Sequence, residues 1–276
     1  MNEAAAATGR LHQTLVHRLG RCLGRYLACT RQPLACVAFA APLLVFYEVG
    51  VMALPAAARN GADVWMRASL GAVGLSGYFL LPLLTVGVLL AWHHTTGRPW
   101  RLPRGVVLGM AGESALLGAL LFVIARSAAG LASAGFPAPG VAELSLAADT
   151  PLMDKARLWL AEPAITRLAT RVVQYVGAGL YEEVLFRLLL LPTLIAALAA
   201  WVKPARPRVA IAVAATSLLF AAAHHAGPHG EAFVAGVFVF RTLAGVAFAM
   251  LFLRRGFGIA IGAHAAYDLI AGVGSP

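Results

Sequence analysis

Charged residues are scarce in this chain. Only 12% of its 276 residues are charged, whereas soluble domains carry about a quarter. The apolar share is 60% and the mean hydropathy is +0.78. Such values exclude an ordinary soluble globular domain of this length, and they predict a protein with several membrane-spanning segments.

Acidic residues are the scarcer of the two signs. The chain has 12 Asp and Glu against 22 Lys and Arg, and its net charge of +10 comes almost entirely from arginines between apolar runs. This distribution is typical of the positive-inside bias and of attraction to anionic lipid, so we predict no nucleic-acid partner. The same bias predicts a cytoplasmic N-terminus, and the Arg- and Ala-rich composition indicates a bacterial inner membrane.

Cysteine is also rare, and repeats are missing from the sequence. Cys22, Cys29 and Cys36 recur at every seventh position near the N-terminus, and three such residues make a poor metal site. The first long apolar run begins only near Pro33, so we expect no cleavable signal peptide. A proton-coupled transporter would also use buried Glu and His, but it predicts paired broken helices and a repeat that the sequence does not have.

The apolar runs predict an all-α fold, a polytopic membrane helix bundle with about seven or eight transmembrane helices and its site inside the membrane. Segment 1–32 is basic with Leu at every fourth position, which predicts an amphipathic helix on anionic lipid, or alternatively a solvated helix. Segment 33–125 holds the N-terminal membrane helices, 126–171 is a Pro-containing extramembrane or interfacial linker, and 172–276 is the membrane core. The predicted spans are about 33–54, 70–92, 105–125, 172–200, 209–224, 232–253 and 257–273.

An acidic pair interrupts the fourth of these spans. Glu182, Glu183 and Arg187 lie in an otherwise apolar run. Placing each charged residue in the bilayer costs roughly 2.5–3.5 kcal/mol on insertion scales. Glu183 and Arg187 are four residues apart, so they are predicted to pair on one helix face. Glu182 points about 100° away, so it needs another partner and is available for chemistry. A structural ion pair between helices is the alternative interpretation.

Further polar residues fall in two other apolar helices. His224 ends the fifth span, while His264 and Asp268 lie four apart in the seventh and share one face. Since each polar group is unfavourable in a bilayer unless it finds a partner, we expect all of them to share one cavity. The candidate set is Glu182, Glu183, His224, His264 and Asp268.

Other polar residues have weaker assignments. Glu48 and Glu113 are expected either to line the cavity or to pair with Arg241. His225 and His229 lie at the end of the fifth span and are expected to be solvated loop residues.

The candidate set supports two chemistries. In the first, a carboxylate acts as general base on a water, a histidine positions that water, and other donors stabilise an oxyanion. In the second, Glu182, His224, His264 and Asp268 bind Zn²⁺ and leave an open position for water. Both lead to hydrolysis, with a peptide bond within or near the membrane as the expected substrate, and the spacing does not separate them.

Three motifs in this order resemble a known family. E-E-x-x-x-R at 182–187, F-x-x-x-H at 220–224 and H-x-x-x-D at 264–268 are similar to those of the CPBP family of intramembrane proteases. This family contains the CAAX prenyl proteases and their bacterial relatives, some linked to bacteriocin processing or immunity. The resemblance covers about residues 172–274, and the earlier residues show only compatible hydrophobicity.

The resemblance implies a helical bundle that cleaves peptide bonds inside the membrane in a glutamate-dependent reaction. It implies that Glu182 activates the water with help from His224. It further implies that Glu183 supports the site, beside a structural Arg187, and that His264 and the residue four positions later line the oxyanion side.

Asp268 departs from the family pattern, because many members have Asn at this position. An ionised Asp repels an oxyanion, so Asp268 is expected to be protonated, to orient His264, or to ligate a metal. This difference adds weight to the metal interpretation.

We therefore predict an intramembrane endopeptidase that uses a glutamate-activated water, needs no cofactor and acts on a membrane-associated protein or peptide. A zinc-dependent metalloprotease with the same residues is the first alternative. A catalytically silent membrane scaffold or immunity-type protein on the same fold is the second. The intact set of polar residues argues against a scaffold, which has no need to keep them.

Overall fold

Helices form all the regular structure in the part of the chain that the computed structural model describes, residues 17, 20–55, 58–135, 163–226 and 230–273. The predicted all-α fold is confirmed. The helices are α1 (20–30), α2 (Pro33–Ala53), α3 (Gly61–Ala72), α4 (Leu80–Thr95), α5 (Val106–Gly135), α6 (Ala164–Gly177), α7 (Leu191–Leu198), α8 (Ala205–Ala223), α9 (Ala235–Arg255) and α10 (Phe257–Val273).

The long apolar helices have the character of membrane spans. Among the described residues, four helices are long and apolar enough to cross a bilayer, namely α2, residues Val106–Ser127 of α5, α8 and α9. The shorter helices α4 and α10 are also apolar. The helix with the acidic pair continues from Ala164 to Leu198 through π-helical turns between α6 and α7. The architecture is that of a polytopic helical membrane bundle.

The predicted span at 70–92 is wrong, because the chain turns within it. Helix α3 ends at Ala72, and α4 begins only at Leu80. Gly74 has a φ of 79°, and the Leu75 amide donates to the Leu70 carbonyl at 2.9 Å. This is the Schellman ending of a helix, in which glycine adopts the left-handed conformation at low steric cost.

The linker predicted at 126–171 is shorter than expected at both ends. Helix α5 continues to Gly135, and α6 already begins at Ala164. Residues 136–162, the middle of this predicted linker, lie outside the described residues. Most of the basic segment 1–32 also lies outside them, although its last part forms α1.

The outward faces of the bundle are apolar, while charged groups lie inside. On α5, Leu108 is 79% exposed and Leu116 is 70% exposed, whereas Asp63 and Glu183 are fully buried. Soluble proteins place most charged side chains at the surface. A bilayer as the solvent for the outer faces explains the observed arrangement.

Glu48 and Glu113 have partners other than the one expected. Glu113 binds Arg255 with an N–O distance of 2.6 Å, and Arg241 instead binds Glu231 at 2.7 Å. Glu48 pairs with a different arginine, described below. The hydrogen bond from Arg241 holds the pKa of Glu231, in the loop before α9, below its usual range. The expectation that Glu48 or Glu113 pairs with Arg241 was therefore wrong.

Small residues allow α10 to pack closely against two neighbours. A Cβ added at Gly118 of α5 would lie 2.7 Å from the Ala266 Cβ, and one added at Gly179 would lie 2.7 Å from the Ala265 Cβ. Such distances are too short for real Cβ atoms, so the two glycines set the separation between α10 and the helices on either side. This is the small-residue packing that membrane helices use for close approach.

Candidate active site

The acidic pair lies on π-helical turns. Residues Ala178–Glu182 and Val184–Leu190 follow this wider backbone, and Glu183 lies between them. Such turns are rare and occur frequently at functional sites. Because a wider turn reduces the angle between adjacent side chains, it helps both carboxylates of the pair to reach His264 on α10.

Glu183 forms the buried anchor of the site. Its Oε1 lies 2.8 Å from the Arg187 guanidinium and 2.8 Å from Nδ1 of His264. Arg187 also donates to the Gly245 carbonyl on α9 at 3.1 Å, and its guanidinium carbon lies 4.5 Å from the ring centre of Phe220. The predicted pairing of Glu183 with Arg187 is confirmed, and it ties three helices together.

Glu182 faces the two histidines. Its Oε2 lies 3.9 Å from His224 Nε2 and 3.8 Å from His264 Nε2, distances beyond direct hydrogen bonding. Its Oε1 accepts a hydrogen bond of 3.0 Å from Asn60, at the start of α3. Asn60 therefore holds one carboxylate oxygen of Glu182, and the other oxygen is directed at the two imidazoles.

Hydrogen bonds fix the orientation of both histidines. His224 Nδ1 lies 2.8 Å from the Phe220 carbonyl, which can only accept, so Nδ1 carries the proton and Nε2 faces Glu182. His264 Nδ1 contacts Glu183, and its ring stacks on Phe248 with centres 4.3 Å apart at an angle of 14°. Both Nε2 atoms are thereby directed at the same carboxylate oxygen.

Asp268 completes the set from one turn farther along α10. Its Oδ2 lies 3.5 Å from Nε2 of His264. This contact places the carboxyl group beside the imidazole nitrogen that faces Glu182. All five predicted site residues thus come together from the acidic helix, the end of α8 and α10.

Four of these five residues, all except Glu183, border a cavity of about 330 Å³ inside the bundle. Charged and imidazole side chains line the cavity together with aromatic and small residues. Glu183 and Arg187 lie behind the wall and do not line it. The lining residues are Tyr175, Glu182, Phe220, His224, Phe240, Arg241, Ala244, Phe248, His264, Tyr267, Asp268, Ala271 and Gly272.

Two residues at the site had no predicted role in it, namely Asn60, which contacts Glu182, and Arg241. Asn60 belongs to no motif and lies in a short connection between helices, where the only sequence signal is an Asn before a helix start. Arg241 lines the cavity, although it was considered only as an ion-pair partner. His225 lies at the helix end with Nδ1 3.0 Å from the Glu231 carbonyl, and His229 falls outside the described residues.

Within the described part of the chain, no three His, Cys, Asp or Glu side chains form a group that could hold a metal ion. Of the alternative metal ligands, His224 and His264 lie 3.9 and 3.8 Å from Glu182 Oε2, and Asp268 lies 3.5 Å from His264. A zinc-dependent mechanism with these residues stays the alternative prediction.

Part of the chain is similar to a known protein family. Residues 164–270 match the family model described as type II CAAX prenyl endopeptidase Rce1-like. The resemblance predicted from the three motifs is confirmed over this region, and the match supports a CAAX-type intramembrane endopeptidase in general. No curated protein and no solved structure matches the chain.

Proposed function

We propose that this protein is an intramembrane endopeptidase in which Glu182 activates the attacking water. The observation that carries the proposal is the convergence of His224 and His264, from separate helices, on Glu182 Oε2 at 3.9 and 3.8 Å. A structural ion pair would bring these groups to direct contact. The observed spacing instead leaves room for a water held by the carboxylate and an imidazole together.

Glu182 acts as the general base in this mechanism. Its Oε2 takes a proton from the water while the water oxygen attacks the scissile carbonyl carbon. The unprotonated Nε2 of His224 accepts a hydrogen bond from the second O–H of the water, because the proton of the ring is on Nδ1 and is donated to the Phe220 carbonyl. Glu182 later returns its proton to the leaving amine, so the carboxylate is regenerated when the peptide bond has broken.

His264 and Asp268 stabilise the oxyanion of the tetrahedral intermediate. In its imidazolium form, His264 donates from Nδ1 to Glu183 and from Nε2 toward the cavity. Asp268, at 3.5 Å from Nε2, acts either as a protonated donor or by orienting the imidazolium. Donors that are already in place cost no reorganisation as the negative charge develops.

Glu183 and Arg187 have a supporting role in the proposal. The pair fixes the His264 ring through Glu183, and the guanidinium holds α9 through Gly245. Carboxylate–histidine contacts of this kind fix both the tautomer and the orientation of a working imidazole.

We propose a membrane-associated protein or peptide as the substrate, in a bacterial inner membrane, with a cytoplasmic N-terminus. The charge bias of the loops supports this orientation. The basic segment 1–32 supports contact with anionic lipid as a further proposal.

Cleavage by the detergent-purified protein tests the proposed function. Wild type is expected to hydrolyse members of a quenched, membrane-partitioning peptide library, and His264→Ala is expected to lose this activity. Activity that is unchanged by a strong chelator supports the glutamate-activated water. Loss with chelator and recovery with Zn²⁺ would overturn that mechanism, and no cleavage over a broad library would favour a silent scaffold.

Asp268→Asn is expected to keep cleavage within about tenfold of wild type, because an amide still offers a donor toward the oxyanion. Asp268→Ala removes the group and is expected to lower kcat by roughly 100-fold. The comparison of kcat and KM for the three proteins measures the difference. A metal ligand would give the opposite pattern, in which Asn fails as badly as Ala.

A further inference from the structure

Asn60 both caps α3 and contacts Glu182. Its Oδ1 accepts a hydrogen bond of 2.8 Å from the Ala62 amide, the usual contact of an N-cap residue. Its Nδ2 lies 3.0 Å from Glu182 Oε1. Because the backbone N–H of Ala62 requires an oxygen, the amide has only one chemically sensible orientation, and its NH₂ group must face the carboxylate.

Tyr47 and Asp63 fix the position of Asn60. The Tyr47 hydroxyl accepts from the Asn60 backbone amide at 3.0 Å and donates to Asp63 at 3.0 Å. Asp63 is fully buried and also binds Arg59 at 2.7 Å and Arg67 at 2.5 Å. These contacts hold the start of α3 in place, so Asn60 is already positioned to contact Glu182.

The same network returns to the acidic pair by a second route. Arg67 binds Glu48 at 2.9 Å, and Glu48 accepts from the Tyr181 hydroxyl at 2.5 Å. Tyr181 immediately precedes Glu182, which Asn60 contacts directly. These contacts form one connected polar network between α3 and the acidic helix. The hydrogen bonds of such a network strengthen one another.

We propose that Asn60 is a positioning residue for Glu182, an inference that rests on the proposed function. Its NH₂ group holds Oε1 toward α3, which leaves Oε2 between His224 and His264. Without this bond, rotation of the carboxylate lets it pair directly with an imidazole and displaces the attacking water. Asn60 lies outside residues 164–270, so the family match assigns it no role.

Two substitutions separate positioning from capping. Asn60→Asp keeps the N-cap acceptor but presents an oxygen to Glu182, and Asn60→Ser keeps a cap acceptor on a side chain too short to reach it. Both are expected to lower kcat by about 10- to 100-fold with KM within about twofold. Asn60→Thr repeats this test with a second short capping side chain and is expected to behave like Asn60→Ser. Wild-type kcat in both Asn60→Asp and Asn60→Ser would overturn the proposal.

A donor–acceptor swap tests the contact without any cleavage. Asn60→Asp places two carboxylates together and is expected to lower the thermal midpoint by about 2–4 °C. Adding Glu182→Gln returns an NH₂ group to the contact from the other side, so the double variant is expected to regain most of this loss. Glu182→Gln alone is the reference for that comparison.

The two measurements distinguish this inference from the proposed function. Recovery in the double variant supports the contact even when the wild type cleaves no peptide, a result that would count against the protease alone. Strictly additive midpoints, with no recovery, would overturn the contact. An active wild type with unimpaired Asn60→Asp and Asn60→Ser would overturn the positioning role and leave the protease proposal standing.

Discussion

Glu182→Gln is expected to abolish detectable cleavage while the protein stays folded. The amide cannot take a proton from water, and the loss of a general base lowers kcat by between about 100-fold and 10,000-fold. Gln has the same shape, and Asn60 can still donate to its carbonyl oxygen, as it does to Oε1 at 3.0 Å. The thermal midpoint and substrate binding are therefore expected to remain close to wild type.

Glu113→Gln is the matched control for this variant. Glu113 is also a partly buried carboxylate on a membrane helix, but it binds Arg255 and Tyr26 and does not line the cavity. Its replacement is expected to leave kcat unchanged, although it weakens the contact between α5 and α9. If Glu182→Gln retained more than a tenth of the wild-type kcat, Glu182 would not be the general base.

Arg187→Met is expected to cause the largest loss of stability. It leaves the Glu183 carboxylate buried without its cation, and breaking a buried ion pair from one side costs about 3–5 kcal/mol. The guanidinium is 1% exposed and also holds the Gly245 carbonyl at 3.1 Å. Denaturant titration in mixed micelles measures the change in the free energy of unfolding.

A double variant identifies the cause of that loss. Glu183→Gln combined with Arg187→Met removes both charges, so a large part of the stability is expected to return. Arg206→Met, at an exposed position near the start of α8, is the surface control and is expected to stay within about 0.5 kcal/mol of wild type. A loss in Arg187→Met no larger than in this control would mean that Glu183 is satisfied by other groups.

Local patterns predicted much of the site. E-E-x-x-x-R and H-x-x-x-D each place two groups four residues apart on one helix, and both pairs are in contact in the structure, at 2.8 Å between Glu183 and Arg187 and at 3.5 Å between His264 and Asp268. The need of polar groups for partners in a bilayer predicted that they would share one cavity. Their catalytic roles remain predictions.

Local patterns also failed where the backbone departs from a regular helix. The turn at Gly74 could not be seen in the apolar run at 70–92. Mean hydropathy is taken over many residues and does not register the left-handed backbone of a single glycine. The π-helical turns around Glu183 gave no sequence signal, because the sequence analysis used the spacing of a regular α-helix. In the structure both approach His264.

The sequence by itself determined the membrane bundle and the short-range pairs, since hydrophobicity and helical periodicity act along one segment. Only the tertiary structure decided the partners across helices. The contacts of Asn60 with Glu182 and of His264 with Glu183 span 122 and 81 residues of sequence. Such contacts depend on how closely the helices approach and how they are rotated, which Gly118 and Gly179 set by packing and no local pattern encodes.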